Sequence, residues 1–244
     1  MAYTFQNSTD KIALGAGITV STAFTYACWI SPDAANTAAR QILTNKAGSG
    51  AGERDQWLEF NTSGTNVLAF GFRTSGGFPQ AQWTSGFLAA SLHFIAATYD
   101  GTNQRIYADT DATAKATNAS GGNPFTGGTP NFRIGNDIVD GRVVDGEIWE
   151  VAIWNRALSG AECVILGTGY SPLFIPNGLI VYLPLVRHTN DIIGKNNGTV
   201  TGADLFSHPR IIYPSSPQMR RFTTAAAPAA AAQVGWRSLL GVGI

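Results

Sequence analysis

The sequence predicts an all-β antiparallel β-sandwich with one short helix and an extended C-terminal arm. Three observations carry that expectation. Through the first 160 residues, short runs rich in Val, Ile, Phe, Tyr, Trp and Thr alternate with clusters of Gly, Asn, Asp, Ser and Pro. Several runs show a two-residue period: Leu68, Phe70 and Phe72 fall on one face of 67–73, and Ala69, Gly71 and Arg73 on the other. After about Phe206 the composition shifts to proline and alanine, with the low-complexity run 225–232. A chain of 244 residues with 44 % hydrophobic side chains has enough apolar material for one large core. All-β units often reach about 200–250 residues.

Taken in order, strands are expected at 3–6, 11–14, 23–31, 41–45, 56–61, 67–73, 92–99, 104–109, 131–135 and 146–155. The turns between them carry explicit chemistry: Gly76-Gly77, Asp100-Gly101, Gly127-Gly128, Asp140-Gly141 and Asp145-Gly146. In 146–155, strict alternation places Ile148, Glu150, Ala152 and Trp154 on one face and Glu147, Trp149, Val151 and Ile153 on the other. Ser159-Gly160-Ala161-Glu162 fits a capping box, with Ser as N-cap and Glu at N3, and Gly167 ends the helix after about two turns. A strand at 178–185 follows, then a Gly/Asn turn at 194–198 and a short strand at 199–201.

The charge pattern excludes several classes. Sixteen basic and sixteen acidic residues cancel, and charged residues make up 13 % against roughly 25 % in an average domain. Nothing in that balance supplies the surplus of Lys and Arg that binding to nucleic acid requires. The chain is too apolar for intrinsic disorder. Its longest compact apolar run, 179–186, is broken by Pro184 and is far short of the roughly 18 residues of a membrane span, so no membrane insertion is expected. Residues 1–6 show no basic or apolar leader, which points to synthesis in the cytoplasm. Cys28 and Cys163 are expected as two buried thiols, with a single disulfide as the alternative.

Two strings resemble a known family. The first is Phe94-Ile95-Ala96-Ala97-Thr98-Tyr99-Asp100-Gly101-Thr102 with Arg105-Ile106-Tyr107. The second runs from Asp145 through Gly146-Glu147-Ile148-Trp149-Glu150-Val151-Ala152-Ile153-Trp154 to Asn155-Arg156-Ala157-Leu158-Ser159. Together they resemble the laminin-G-like, concanavalin-A-like jelly rolls over about residues 2–205. The segment 178–203 resembles the start of such domains although here it comes last, so a circularly permuted jelly roll is implied, closing with a strand beside the N-terminal one. The implied organisation is a jelly-roll domain at 1–205 and a docking arm at 206–244. The resemblance also implies Ca²⁺ as the metal to test, with Asp10, Asp100, Asp137, Asp140 and Asp145 in or beside turns. Turn aspartates also serve as Asx-turn formers.

This fold hosts lectins and glycoside hydrolases alike, so function must come from the site. The Glu-x-Asp-x-Glu strand of the family's hydrolases is not met by 145–150, and neither a nucleophile elbow nor a zinc-binding His-Glu-x-x-His is present. His93, His188 and His208 lack ligand spacing. No enzyme is expected. The loops 47–56 and 74–86 bring Trp57, Trp83, Arg54 and Asp55, with Phe78 and Gln82 nearby, to a candidate glycan-binding edge. The competing role for Trp57 and Trp83 is core packing, the role expected of Trp29, Trp149 and Trp154. The arm carries Trp236, Leu239, Leu240 and Ile244, four apolar anchors suited to docking on another subunit; the alternative is that it folds back on its own sandwich. The whole resembles phage virion proteins that decorate capsids or form tail and fibre parts. That implies a virion location, other virion proteins and host surface glycans as partners, and a homo-oligomer within the assembly. A free lectin is the alternative, and a glycoside hydrolase the third.

Overall fold

The computed structural model describes residues 2–214 apart from 16–17, 19, 21, 34–38, 47–54, 61–65, 86–90, 120–121, 126–130, 138–140 and 195. In chain order the strands are β1 (Ala2–Phe5), β2 (Lys11–Leu14), β3 (Phe24–Pro32), β4 (Arg40–Lys46), β5 (Gln56–Phe60), β6 (Leu68–Phe72), β7 (Gln80–Trp83) and β8 (His93–Tyr99). They continue with β9 (Asn103–Ala108), β10 (Ala116–Ala119), β11 (Asn131–Ile134), β12 (Gly146–Trp154), β13 (Leu179–Leu183), β14 (Gly198–Thr201) and β15 (Asp204–Phe206). One helix, α1 (Gly160–Gly167), and a 3₁₀ turn at Pro172–Phe174 lie between β12 and β13.

All named pairings are antiparallel, and the strands form two facing sheets. One runs β10-β9-β8-β3-β12-β1-β15, with β13 beside β12, and the other runs β14-β2-β11-β4-β5-β6-β7. This is the concanavalin-A-like jelly roll that the sequence predicts. The core between the sheets is aromatic. Phe72 stands edge-on to Tyr99 at 4.7 Å, Phe24 lies 5.0 Å from Tyr26, and Phe132 closes on Tyr26 at 5.5 Å. The buried Tyr26 hydroxyl donates to Gln56 Oε1 (2.7 Å), which also accepts from Asn45 Nδ2 (2.9 Å), so this polar group inside the core is satisfied.

The helix forms as its capping box predicts: Ser159 Oγ accepts from the Glu162 amide and the Glu162 carboxylate accepts from the Ser159 amide. Cys163 and Leu166 face inward with Phe94, Ala96, Tyr107 and Trp154, a second apolar layer on the outer face of the β8-containing sheet. Cys28 and Cys163 are buried and unbridged, and burial pushes each thiol up to about 12. Trp149 and Trp154 are buried as expected, whereas Trp29 is only half-buried, its ring 5.6 Å from Phe94 on the outer face.

The expected alternation along β12 fails at one residue. The register with β3 passes from Trp149↔Trp29 to Ala152↔Ala27, and Glu150 sits at φ 52°. This β-bulge shifts the phase: Ile148, Val151 and Ile153 enter the core, and Trp154 joins Ala152 on the outer face. Sequence alternation cannot register an extra residue.

Three strands go beyond the sequence expectation: β7, β10 and β15. All are short and lie at sheet edges, where one-sided burial is weak and periodicity is correspondingly faint. The closing strands sit beside the N-terminal ones, β14 on β2 and β15 on β1. The compact unit extends to Ile212. Residues 207–212 form a strap along its surface. The Trp149 indole N–H donates to Ser207 O (2.8 Å), and Ile212 exchanges backbone bonds with Gly169 and Ser171 (2.8 and 2.9 Å). His208 Nε2 lies 3.1 Å from Glu150 Oε1, and Glu150 also accepts from the buried Tyr182 hydroxyl. The anchors Trp236, Leu239, Leu240 and Ile244 lie outside the described residues.

Candidate functional site

The structure separates the residues that the sequence brings to one glycan-binding edge. Trp57 and Trp83 occupy opposite faces of the same sheet. On β5, Leu58 and Phe60 point into the core, so Trp57 points outward and lies across β6. Gly71 makes room for it: a Cβ there would fall 2.4 Å from the indole. Trp57 is only 3 % exposed, and its ring packs 6.3 Å from the exposed Phe78. Asp55 is fully buried and paired with Arg73 Nε at 2.9 Å, while Arg73 lies over the Phe125 ring at 4.2 Å. Trp57 and Asp55 therefore serve the packing of this face, which corrects the expectation that both offer surface to a ligand. Arg54 lies outside the described residues.

Trp83 is buried too, 7 % exposed and packed into the core between the sheets, the competing role expected of it. It ends the edge strand β7, and the part of it that stays accessible lines an open groove of about 540 Å³ with Ser85, Asp109, Asp111, Thr113, Ala114 and Lys115. The far wall is the loop between β9 and β10. Asp109, at φ 56°, turns the chain there and accepts from the Phe94 amide (3.1 Å) and from His93 Nδ1 (3.0 Å). His93 stands edge-on to Trp83 at 6.5 Å. Asp111 accepts from the Thr113 amide (2.8 Å) and from Lys115 Nζ (2.8 Å). The Lys115 hydrogen bond comes first among the causes that hold the Asp111 carboxyl below its usual range. Lys115 Nζ also lies 5.9 Å from the Trp83 ring centroid.

The position of this loop depends on α1. A Cβ at Gly167 would fall 1.8 Å from Asp109 O, and one at Gly160 would fall 2.0 Å from Ala112 O. The two glycines at the ends of the capped helix thus let it press directly on 109–112. Sequence reasoning misses Asp109, Asp111 and Lys115. The only available signal is the glycine at each end of a helix, and its meaning appears once the helix is placed.

Chemically the groove offers exposed carboxylate acceptors, an ammonium donor, two hydroxyls and the edge of an indole. The Asp109 and Asp111 side chains remain 46 % and 44 % exposed although each already has a cationic or imidazole neighbour. A polyhydroxylated ligand satisfies such a set, donating to the carboxylates and accepting from Lys115. The volume falls within the roughly 300–1,000 Å³ usual for small-molecule sites.

The aspartates proposed for Ca²⁺ do not gather. Asp10 Oδ2 caps its own turn through the Gln6 and Asn7 amides. Asp100 is tied to Arg105 and to the Thr102 and Asn103 amides, and these bonds overcome the effect of burial to hold it at about 2. Asp137 Oδ2 lies 3.8 Å from Arg142 Nε, and the Asp137 carbonyl accepts from Arg133 Nη1 (2.8 Å). Asp140 lies outside the described residues. Among the described residues no three His, Cys, Asp or Glu side chains converge on a metal-sized site. The described members, Asp10, Asp100, Asp137 and Asp145, therefore form no such carboxylate cluster.

The Glu147 and Glu150 carboxylates share the outer face because of the bulge, where strict alternation would separate them. Glu150 is closed beneath the strap by Tyr182 and His208. Burial raises the Glu147 pKa, and the negative Asp33 adds to the shift.

Two antiparallel sheets and, among the described residues, a single capped helix define a jelly-roll β-sandwich. Residues 6–163 match the Laminin_G_3 model of the concanavalin A-like lectin/glucanases superfamily, and the chain belongs to that family. No curated protein matches it in sequence. In solved structures, the fold is similar to that of a candidate carbohydrate-binding protein from Bacteroides ovatus (TM-score 0.66, 20 % identity, 86 % of this chain). This chain spans 61 % of that protein. It is also similar to a heptameric SAP-like pentraxin from Limulus polyphemus (TM-score 0.57, 11 % identity, covering 83 % of this chain and 92 % of that one). A third match is domain 4 of an extracellular GH43 arabinanase from Geobacillus stearothermophilus, solved with arabinotriose (TM-score 0.52, 18 % identity, covering 68 % of this chain and 76 % of that one).

Proposed function

We propose that the chain is a non-catalytic carbohydrate-binding jelly roll that recognises glycans in the Trp83 groove. The observation that carries this reading is the convergence of Trp83, Asp109, Asp111 and Lys115 on one open groove. The carbohydrate-binding descriptions of two structurally similar proteins support the class of ligand. On a glycan array, the full chain is expected to bind a subset of sugars. Asp111→Ala with Lys115→Ala should weaken that binding at least about tenfold while leaving the melting temperature in place. Unchanged binding by the double variant would remove the groove from consideration.

We further infer that the jelly roll works inside a larger assembly, held by its C-terminal arm, as a phage virion decoration, tail or fibre component. The low charge density and the apolar anchors Trp236, Leu239, Leu240 and Ile244 support this. Pairing of the closing strands β14 and β15 with β2 and β1 supports a permuted form of the fold. Removing residues 215–244 should leave a folded glycan binder that no longer enters particles. Normal incorporation of the truncated chain would refute the anchoring role.

A further inference from the structure

One edge of the sandwich is apolar and open. As strands, β15 pairs with β1 alone and β14 with β2 alone, so both sheets end here among the described residues; on β14 the outward amide and carbonyl of Gly198 are already bonded to Thr189, which leaves β15 as the more open of the two. The segment after β13 extends the same line: Tyr182 O accepts from the Ile192 amide, outside the side of β13 that pairs with β12. Along this edge Ile192, Ile193, Val200, Leu205 and Phe206 are each 36–49 % exposed. Asp204 is the one charged residue of the two edge strands. Unpaired backbone groups beside exposed apolar side chains fit a partner that is itself an extended strand.

The same chain carries a sequence with the alternating pattern of such a strand. Val234, Trp236, Leu240, Val242 and Ile244 fall on alternate positions, interrupted only by Ser238, with Gly235, Gly241 and Gly243 between them. Arg237 is the single charge after Arg221, opposite in sign to Asp204 on the edge. The 20 residues between Tyr213 and Val234 are rich in Ala and Pro. Extended at about 3.1 Å per residue they span about 60 Å, which exceeds the diameter of about 45 Å expected of the unit they leave. An arm of that reach suits a neighbour. We propose that the β14/β15 edge receives the C-terminal segment of a second copy of this chain as an added strand. This rests on the reading of the arm as a docking device and gives it a receptor.

Two copies that exchange arms reciprocally close into a two-fold dimer, and copies that pass the arm onward build rings or filaments. Sedimentation velocity on the full chain tests it. The parent should show concentration-dependent oligomers. Leu205→Lys with Phe206→Lys, and separately Trp236→Asp with Leu240→Asp, should each weaken association at least about tenfold. Their circular dichroism and melting temperatures should match the parent. Mixed in equal amounts, the two variants should form 1:1 dimers, because the arm intact in one fits the edge intact in the other. Three outcomes would overturn the proposal. A parent that stays monomeric at every concentration excludes a second copy. An arm variant that associates like the parent points to direct edge-to-edge pairing and also removes the docking role of the arm. An edge variant that associates like the parent leaves that role standing but places the receptor elsewhere.

Discussion

The two sides of this sandwich solve the problem of sheet edges in opposite ways. On one side β7 and β10 pack against each other across the two sheets, and Gln104 Nε2 bonds Pro79 O at 3.0 Å. Polar side chains alternate there with apolar ones: Gln80 and Gln82 with Ala81 and Trp83 on β7, and Thr117 and Asn118 between Ala116 and Ala119 on β10. What remains open is the groove, walled by Asp109, Asp111 and Lys115. On the other side β14 and β15 are joined through Gly202, at φ 73°, and their apolar side chains stay exposed. A closed polar edge discourages strand addition and leaves room for a small hydrophilic ligand. An open apolar edge does the reverse. On the two proposals made above, recognition of a small hydrophilic ligand belongs to one side and assembly to the other.

The largest test concerns what holds the polar side together. Trp57→Ala should cost about 3–5 kcal/mol in denaturant unfolding, because it empties the space over Gly71. Glycan binding per folded molecule should remain, and a selective loss of binding with stability intact would return Trp57 to the ligand site. Next comes a double dissociation. Leu205→Lys with Phe206→Lys should abolish assembly and spare glycan binding, while Asp111→Ala with Lys115→Ala should do the opposite; any crossed effect breaks the division of labour. A smaller effect is pH-dependent. Burial disfavours the His208 charge, but bonds to Glu150 and to the Pro209 and Pro184 carbonyls outweigh it, so its pKa rises above 6.5 when folded. Its contribution is therefore complete below about pH 6.5 and fades as pH rises through the folded value. The melting-temperature gap between the parent and His208→Gln should narrow in that direction. The smallest test is the helix cap that presses on the groove loop: Ser159→Ala should cost about 1 kcal/mol. Glu162, held near 2 mainly by its Arg156 hydrogen bond, should keep its share of stability above about pH 4.5 and lose it as pH falls toward 2.

Much of the fold is legible because its strands are buried on at least one face, and burial writes periodicity into sequence. The ten strands expected through residue 155 all form, and the Ser159–Glu162 cap does what its spacing requires. Legibility falls where burial does. β7, β10 and β15 are edges with little to hide, and the bulge at Glu150 is a change of phase that composition does not announce. The site is half legible. Sequence assigns Trp83 and Trp57 to one loop edge, whereas they lie on strands β7 and β5, where one residue of parity puts them on opposite faces. Asp109, Asp111 and Lys115 escape it because they meet Trp83 only when a helix some fifty residues later presses their loop into place.

The strap at 207–212 stands between the outermost strand and the rest of the chain. The chain leaves the compact unit at Ile212, whose backbone bonds join it to Gly169 and Ser171 in a parallel bridge beside Tyr170. If the arm is a tether, as proposed, tension along it would meet that bridge first, then His208 and the Trp149 indole, before β15. A short clasp of hydrogen bonds would then take the pull in place of the sheet edge.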